Sequence, residues 1–286
     1  MTVLLLGAAG QLGQAFINNP DFVGLNALCF SRTELDICDA AAVLQYFAAV
    51  KPDVVINCAA YTEVDAAEQN KQLCLAINTE AVSHIAKLCQ QHGTLLIQFS
   101  TDYVFDGKKD SPYTEQDAPN PINHYGMSKW LAEQCIRQHC AKYLILRTSW
   151  LFSEYGHNFY RTMVKLAKAG APVSVIADQF GCPTYAGDVV TAVISMIKRY
   201  QREGELPYGT YHLCGGPAVS WYGFAEAIFA AMQTKVSLQQ ISTAQWHATA
   251  VRPANSVLAC NKFNRVMGSV LPQWQHALTK LVGESA

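Results

Sequence analysis

Short, continuously apolar runs alternate with stretches of helical period along the first half of the chain. Residues 3–6, 28–30, 54–56, 95–99, 143–146 and 173–176 read as strands. Residues 40–47, 73–90, 129–139 and 159–168 read as helices. Strands that are apolar at nearly every position belong to a sheet covered on both faces, and strand–helix alternation builds such a sheet from parallel strands. Beyond Trp150 the alternation loosens, with turn signals at residues 181–183, 215–217 and 252–253. The pattern predicts an α/β fold, a doubly wound parallel sheet with a smaller, mainly C-terminal lobe. The sheet domain spans 1–150 with returning segments over about 186–214, and a substrate-binding lobe is built from 151–185 and 215–286.

The first strand runs into Gly7-Ala8-Ala9-Gly10-Gln11-Leu12-Gly13, and a helical pattern starts near Gln11. Three glycines at this spacing between a strand and a helix form the Rossmann-type dinucleotide turn. Gly7 permits the tight turn, Gly10 lets the backbone approach a pyrophosphate, and Gly13 lets the helix lie close on the sheet. The pyrophosphate sits on the helix N-terminus. No acidic residue ends the second strand; Ser31 and Arg32 follow it, which predicts acceptance of the NADPH 2′-phosphate with NADH use surviving.

Composition narrows the function classes. The 286 residues are 50% hydrophobic with a formal charge of −1, and no basic block exceeds Lys108-Lys109. That leaves no electrostatic footprint for nucleic acid or a membrane surface. The longest apolar helical segment, residues 189–197, is far too short to span a bilayer. Ten cysteines without a C-x-x-C pair read as reduced thiols, mostly packed in the core, of a cytoplasmic protein. The N-terminus reads as the first strand, not a secretory leader. Eight histidines show no metal-binding spacing, so no metal is expected.

In open α/β sheets ligands lie beyond the carboxyl ends of the strands. The residues there are polar or small: Asn57-Cys58-Ala59-Ala60-Tyr61-Thr62 after the third strand and Ser100-Thr101-Asp102-Tyr103 after the fourth. Tyr125 and Lys129 stand four apart, so on a helix they share a face. An ammonium beside a phenol is expected to lower the tyrosine pKa and make it a usable proton donor and acceptor.

With Thr101, Tyr125 and Lys129, the chain resembles the extended short-chain dehydrogenase/reductase superfamily. Within it the resemblance is to the dTDP-4-dehydrorhamnose reductase family, over nearly the full length. Further similar segments are Val104-Phe105-Asp106-Gly107, Arg147-Thr148-Ser149-Trp150-Leu151-Phe152, Asp178-Gln179-Phe180-Gly181-Cys182-Pro183-Thr184 and Arg252-Pro253-Ala254-Asn255-Ser256. The resemblance implies reduction of a 4-keto sugar nucleotide by hydride from NADPH or NADH. Tyr125 would protonate the product oxygen, Lys129 would hold the nicotinamide ribose and tune Tyr125, and Thr101 would hydrogen-bond the keto oxygen. Asp36 and Ile37 match an adenine-contacting pair, though Asp36 could instead cap the helix beginning near Ala40. Ala59, Ala60, Tyr61 and Thr62 would line the cofactor, and Asp102, Tyr103, Trp150 and Arg252 the dTDP-sugar. Trp150 could equally be a core residue and Arg252 a structural one. Some relatives dimerise through magnesium and carboxylates, but Tyr185-Ala186-Gly187-Asp188 lacks the expected glutamate, which implies a monomer or weak homodimer. Two other functions stay open on the same scaffold: a nucleotide-sugar epimerase or dehydratase, and a noncatalytic subunit like the regulatory protein of methionine adenosyltransferase.

Overall fold

The computed structural model describes residues 1–268 and 270–283. Its centre is a six-stranded parallel sheet. In it β1 (Thr2–Leu6) lies between β2 (Asn26–Phe30) and β3 (Val54–Asn57), and β4 (Leu95–Thr101), β5 (Tyr143–Thr148) and the strand Gly209–His212 follow beyond β3. The chain order reverses between β1 and β3, which places the ligand crevice above the ends of those two strands.

Period-two alternation divides each buried strand between two cores. Val3, Leu5, Val54, Ile56, Leu95, Ile97, Leu144 and Leu146 face one side, covered by helices Gln11–Ile17 and Ala186–Glu203. Leu4, Leu6, Val55, Leu96 and Ile145 face the other, under helices Ala40–Val50, Ala81–His92 and His124–His139. The register carries one row of the first set straight across the sheet: Leu5 opposite Ile56, Ile56 opposite Ile97, Ile97 opposite Leu144.

A third core lies apart from the sheet. Phe152, Tyr160, Met163, Phe224, Ile228, Trp274 and Leu278 pack together, contributed largely by helices Phe159–Lys168, Trp221–Ala231 and Trp274–Gly283. The run at Val173–Ile176, read from the pattern as part of the main alternation, belongs here. It pairs in parallel with Leu238–Ile241, a partner too polar to announce itself as a strand.

Two helices differ from their predicted extent. The helix expected over 73–90 is Lys71–Leu75, a π turn Ala76–Glu80, and then Ala81–His92. The helix expected from Lys129 begins at His124, because the Asn123 side chain accepts the Gly126 N–H at 2.8 Å and caps it. Tyr125 therefore lies in the first helical turn. No helix among the described residues is long and apolar enough to cross a membrane.

Candidate active site

The glycine turn is built for close approach. Gly7 has φ +79°, and a Cβ there would stand 2.5 Å from the Ala59 nitrogen, so the turn after β1 is pressed onto the loop after β3. A Cβ on Gly13 would collide with the Gly7 carbonyl. Gly10 precedes the helix Gln11–Ile17 without a side-chain cap, leaving its first N–H groups directed at the crevice. The cleft is lined by Gly7, Gly10, Arg32, Asp36, Ile37, Ala59 and Ala60, all expected there, together with Ala9, Leu35, Cys58 and Ile77. Small residues around an anion-binding helix start, with an apolar slot beyond, fit a dinucleotide.

The remaining cofactor candidates lie around this lining. Leu12 points into the sheet core. The Gln11 side chain approaches Gly156, and its Nε2 is buried without a hydrogen-bond partner. Ser31 is tied to Glu34, donating its N–H at 2.8 Å and its hydroxyl at 2.6 Å. Those bonds hold the Glu34 carboxyl below its ordinary pKa. Tyr61 exchanges backbone hydrogen bonds with the Asn78 side chain, and Thr62 is exposed. The Asp36 carboxylate accepts the Cys38 N–H and pairs with Arg32 at 3.3 Å. Helix capping falls to Asp39, whose side chain accepts the Ala42 N–H.

Thr101 ends β4, and its side chain lies near enough to the Tyr125 phenol to favour that phenol's ionised form. The two are brought together by Gly126. A Cβ there would run into the Tyr103 carbonyl, so only glycine lets the helix start lie against the β4 loop. Lys129, one turn on, is buried, and its ammonium is close enough to the cleft-lining Cys58 thiol to influence it. Burial lowers the Lys129 pKa to about 8, against the pull of Glu133.

The expected tuning of the tyrosine is reversed. Burial, with the Asp102 carboxyl nearby, pushes the Tyr125 pKa up, and the neighbouring Thr101 side chain only partly opposes it. Lys129 faces Glu133, Cys74 and Cys58 and contributes no resolved effect at the phenol. Tyr125 is thus held neutral.

Asp102 and Tyr103 lie at the same strand end, with the Tyr103 and Tyr125 rings edge to face at 6.1 Å. Trp150 has φ +44°, uncommon for so bulky a residue, and stacks on Trp221 at 3.5 Å with rings 7° from parallel. Gly181 abuts its indole. Arg252 is committed: its Nη1 and Nη2 donate to the two Asp65 oxygens at 3.1 and 2.6 Å, and Nη1 also donates to the Ala250 carbonyl.

Several supporting residues escaped the sequence reading. Glu133 accepts from Arg147 through both oxygens at 2.8 and 2.7 Å and from Ser100 at 2.6 Å, locking the Tyr125 helix to β4 and β5. Asn78 and Thr79 bond Ser128 on the same helix. Asn123 donates to the Val251 carbonyl, tying the helix start to the C-terminal segment. Polar residues on strands and helices were the available signal, but their partners are distant in sequence. All ten cysteines are free, five of them buried, and no group of three or more potential metal ligands exists among the described residues.

Comparison with known proteins places this geometry. The RmlD substrate binding domain family matches residues 1–286. A dTDP-4-dehydrorhamnose reductase from Aggregatibacter actinomycetemcomitans is 40% identical over 289 residues, covering 98% of this chain and 97% of the relative. The crystal structure of dTDP-4-dehydrorhamnose reductase from Bacillus anthracis in complex with NADP superposes with a TM-score of 0.92 at 37% identity, covering 99% of each chain. An ortholog from Clostridium acetobutylicum superposes with a TM-score of 0.93 at 34% identity, covering 100% of this chain and 99% of that one. The chain belongs to the dTDP-4-dehydrorhamnose reductase family.

Proposed function

We propose that the protein reduces the 4-keto group of dTDP-4-dehydro-β-L-rhamnose to give dTDP-β-L-rhamnose, with NADPH as donor and NADH also accepted. The observation that carries this reading is the juxtaposition of the buried Thr101 at the end of β4 with the Tyr125 phenol, one helical turn from Lys129 and beside a glycine-cradled cleft. When bound, the nicotinamide supplies the hydride.

The protein's own residues do the rest. Gly7, Gly10, Gln11, Leu12 and Gly13 receive the pyrophosphate; Ser31, Arg32, Asp36 and Ile37 the adenosine; Ala59, Ala60, Tyr61 and Thr62 the far side of the cofactor. Thr101 donates a hydrogen bond where negative charge develops on the keto oxygen, and Tyr125 delivers the proton. Lys129 orients the cofactor's ribose beside Tyr125. Asp102, Tyr103, Trp150 and Arg252 bind the dTDP-sugar, with Arg252 sharing its guanidinium between Asp65 and the diphosphate. The sheet unit, 1–150 with 186–214, serves the cofactor, and 151–185 with 215–286 serves the sugar nucleotide. We place the enzyme in the cytoplasm as a monomer or weak homodimer, consistent with its free cysteines and with Gly187-Asp188 where a bridging glutamate is expected.

The test is to supply enzymatically prepared dTDP-4-dehydrorhamnose with NADPH, follow loss of the reduced nicotinamide, and identify the product by NMR. Stoichiometric oxidation with formation of dTDP-rhamnose is expected. A sugar product formed without net consumption of NADPH would instead indicate an epimerase.

A further inference from the structure

Two cysteines that do not line the cofactor cleft meet sulfur to sulfur. Cys214 is buried just beyond the strand Gly209–His212, in a small apolar cluster with Val104, Phe105, Tyr113, Cys182 and Leu258. Cys260 packs against that cluster but is only partly buried, and it immediately precedes the helix Asn261–Met267. The two Sγ atoms stand 3.4 Å apart, and Cys260 Sγ also accepts the Cys214 N–H at 3.3 Å. A disulfide holds its sulfurs about 2 Å apart, so roughly 1.4 Å remains to be closed. Neither thiol has a part in the reduction proposed above.

We propose that Cys260 and Cys214 are a thiol modification site oxidised by a hydroperoxide, and that the resulting disulfide staples the C-terminal segment to the end of the sheet. The Cys260 thiolate attacks one peroxide oxygen. An S–O bond forms, the O–O bond breaks, and the departing oxygen takes a proton from solvent and leaves as water or an alcohol. The Cys214 sulfur then attacks the sulfenic sulfur of Cys260. The S–S bond forms as the S–O bond breaks, and the released hydroxide leaves as water with the Cys214 proton. The two thiols lose two electrons, and the peroxide is reduced by the same two. A dithiol reductant reverses the modification by thiol–disulfide exchange.

The surroundings assign the two roles. The Cys214 thiol and N–H beside the Cys260 sulfur hold its pKa below the ordinary thiol value, against burial and the Glu115 carboxylate. The neighbouring Cys182 and Cys260 sulfurs, with burial, keep Cys214 protonated well above that value. The thiolate is the nucleophile, so Cys260 takes the oxygen and Cys214 resolves it. Other thiols are placed differently. Cys74 donates to Ser128 Oγ at 3.3 Å and Cys140 to the Lys142 carbonyl at 3.4 Å, while desolvation and the Asp36 carboxylate push the exposed Cys38 up. Residues 215–259, between the pair, include the helix Trp221–Ala231, the strand Leu238–Ile241 and Arg252. A cross-link closes that stretch of the lobe into a loop and restricts its unfolded states. In a cytoplasmic protein a disulfide of this kind is transient and redox-sensing.

The test exposes the folded, reduced protein to hydrogen peroxide, blocks the remaining thiols by alkylation, and maps the digest by mass spectrometry without reductant. A peptide pair joined through Cys214 and Cys260, lighter by two hydrogens and separated again by dithiothreitol, is expected. The oxidised protein should melt several degrees higher than the reduced one. Cys214→Ser should trap Cys260 as the sulfenic acid, captured by dimedone at least about tenfold faster than Cys38. Cys260→Ser should form no cross-link at Cys214. The proposal is overturned by a cross-link from Cys214 to Cys182, by one that forms only in denaturant, or by oxidation elsewhere while this pair stays reduced. Dimedone capture at Cys38 ahead of Cys260, or an unchanged Tm after cross-linking, overturns it as well. If either variant fails to fold, the wild-type map and melting shift decide alone.

Discussion

Arg32→Ala should move cofactor preference from NADPH toward NADH by a factor that can be worked from the turn after β2. Ser31 and Glu34 bond each other there, so the Glu34 carboxylate is held back on its own turn. Arg32 and Asp36 line the cleft as an exposed pair, with side-chain exposures of 71% and 37%. Such a pair contributes at most about 1 kcal/mol by itself. A 2′-phosphate at about 4 Å from the guanidinium would gain roughly 1 kcal/mol per unit charge in water and about 4 kcal/mol at an effective dielectric of 20. The exposure of Arg32 places the gain near the lower end, about 1–2 kcal/mol after screening, or about five- to thirtyfold in selectivity. Asp36→Asn should shift preference the other way, since it releases Arg32 and removes a negative charge from the phosphate's side. The assay is the ratio of kcat/KM for NADPH over NADH in the three proteins. An unchanged ratio in Arg32→Ala, or the same sign of change in both variants, would refute the electrostatic argument.

Tyr125→Phe should lower kcat by about 10²- to 10⁴-fold with NADPH affinity nearly unchanged, because it deletes the proton donor and keeps the ring; Lys129→Ala should damage both, and steady-state kinetics with cofactor titration separates them. Glu133→Ala should cost about 3–5 kcal/mol of stability, because it leaves the buried Arg147 guanidinium unpaired. Denaturant unfolding measures that loss, and a change below about 1 kcal/mol would show that the pair is not buried in solution. Trp150→Ala and Arg252→Ala should weaken dTDP-rhamnose binding at least about tenfold while NADPH binding stays within about twofold, since each such factor is about 1.4 kcal/mol of lost contact. Equal affinity of wild type and variants by calorimetric titration would return both residues to purely structural roles.

The central sheet was legible because its strands are buried on both faces. Runs such as Val54-Val55-Ile56 need no partner to be recognised, and the glycine turn after β1 carries its own geometry. The small parallel pair in the lobe was not legible in the same way. Leu238–Ile241 carries two glutamines between its apolar ends, a pattern that acquires meaning only when Val173–Ile176 lies alongside. The start of the Tyr125 helix was missed for a similar reason. Gly126 weakens helical periodicity, yet it is required by contact with a carbonyl from another element.

The chemistry of the site shows where local spacing stops being informative. A spacing of four places Tyr125 and Lys129 on one helical face, but the charge each experiences is decided by neighbours beyond that spacing. Burial and then Asp102, just past the end of β4, raise the phenol pKa; Glu133, on the same helix but held in place by Arg147 from β5, opposes the lowering of the Lys129 pKa. The same holds for Arg252, whose fork suits a diphosphate in isolation and is already engaged by Asp65 in the fold. Residue type and spacing thus identify which groups reach the cleft, while protonation state and availability follow from long-range packing. Trp150 makes the point from the apolar side: its left-handed backbone is held where Trp221 covers one ring, and no pattern around Trp150 names that partner.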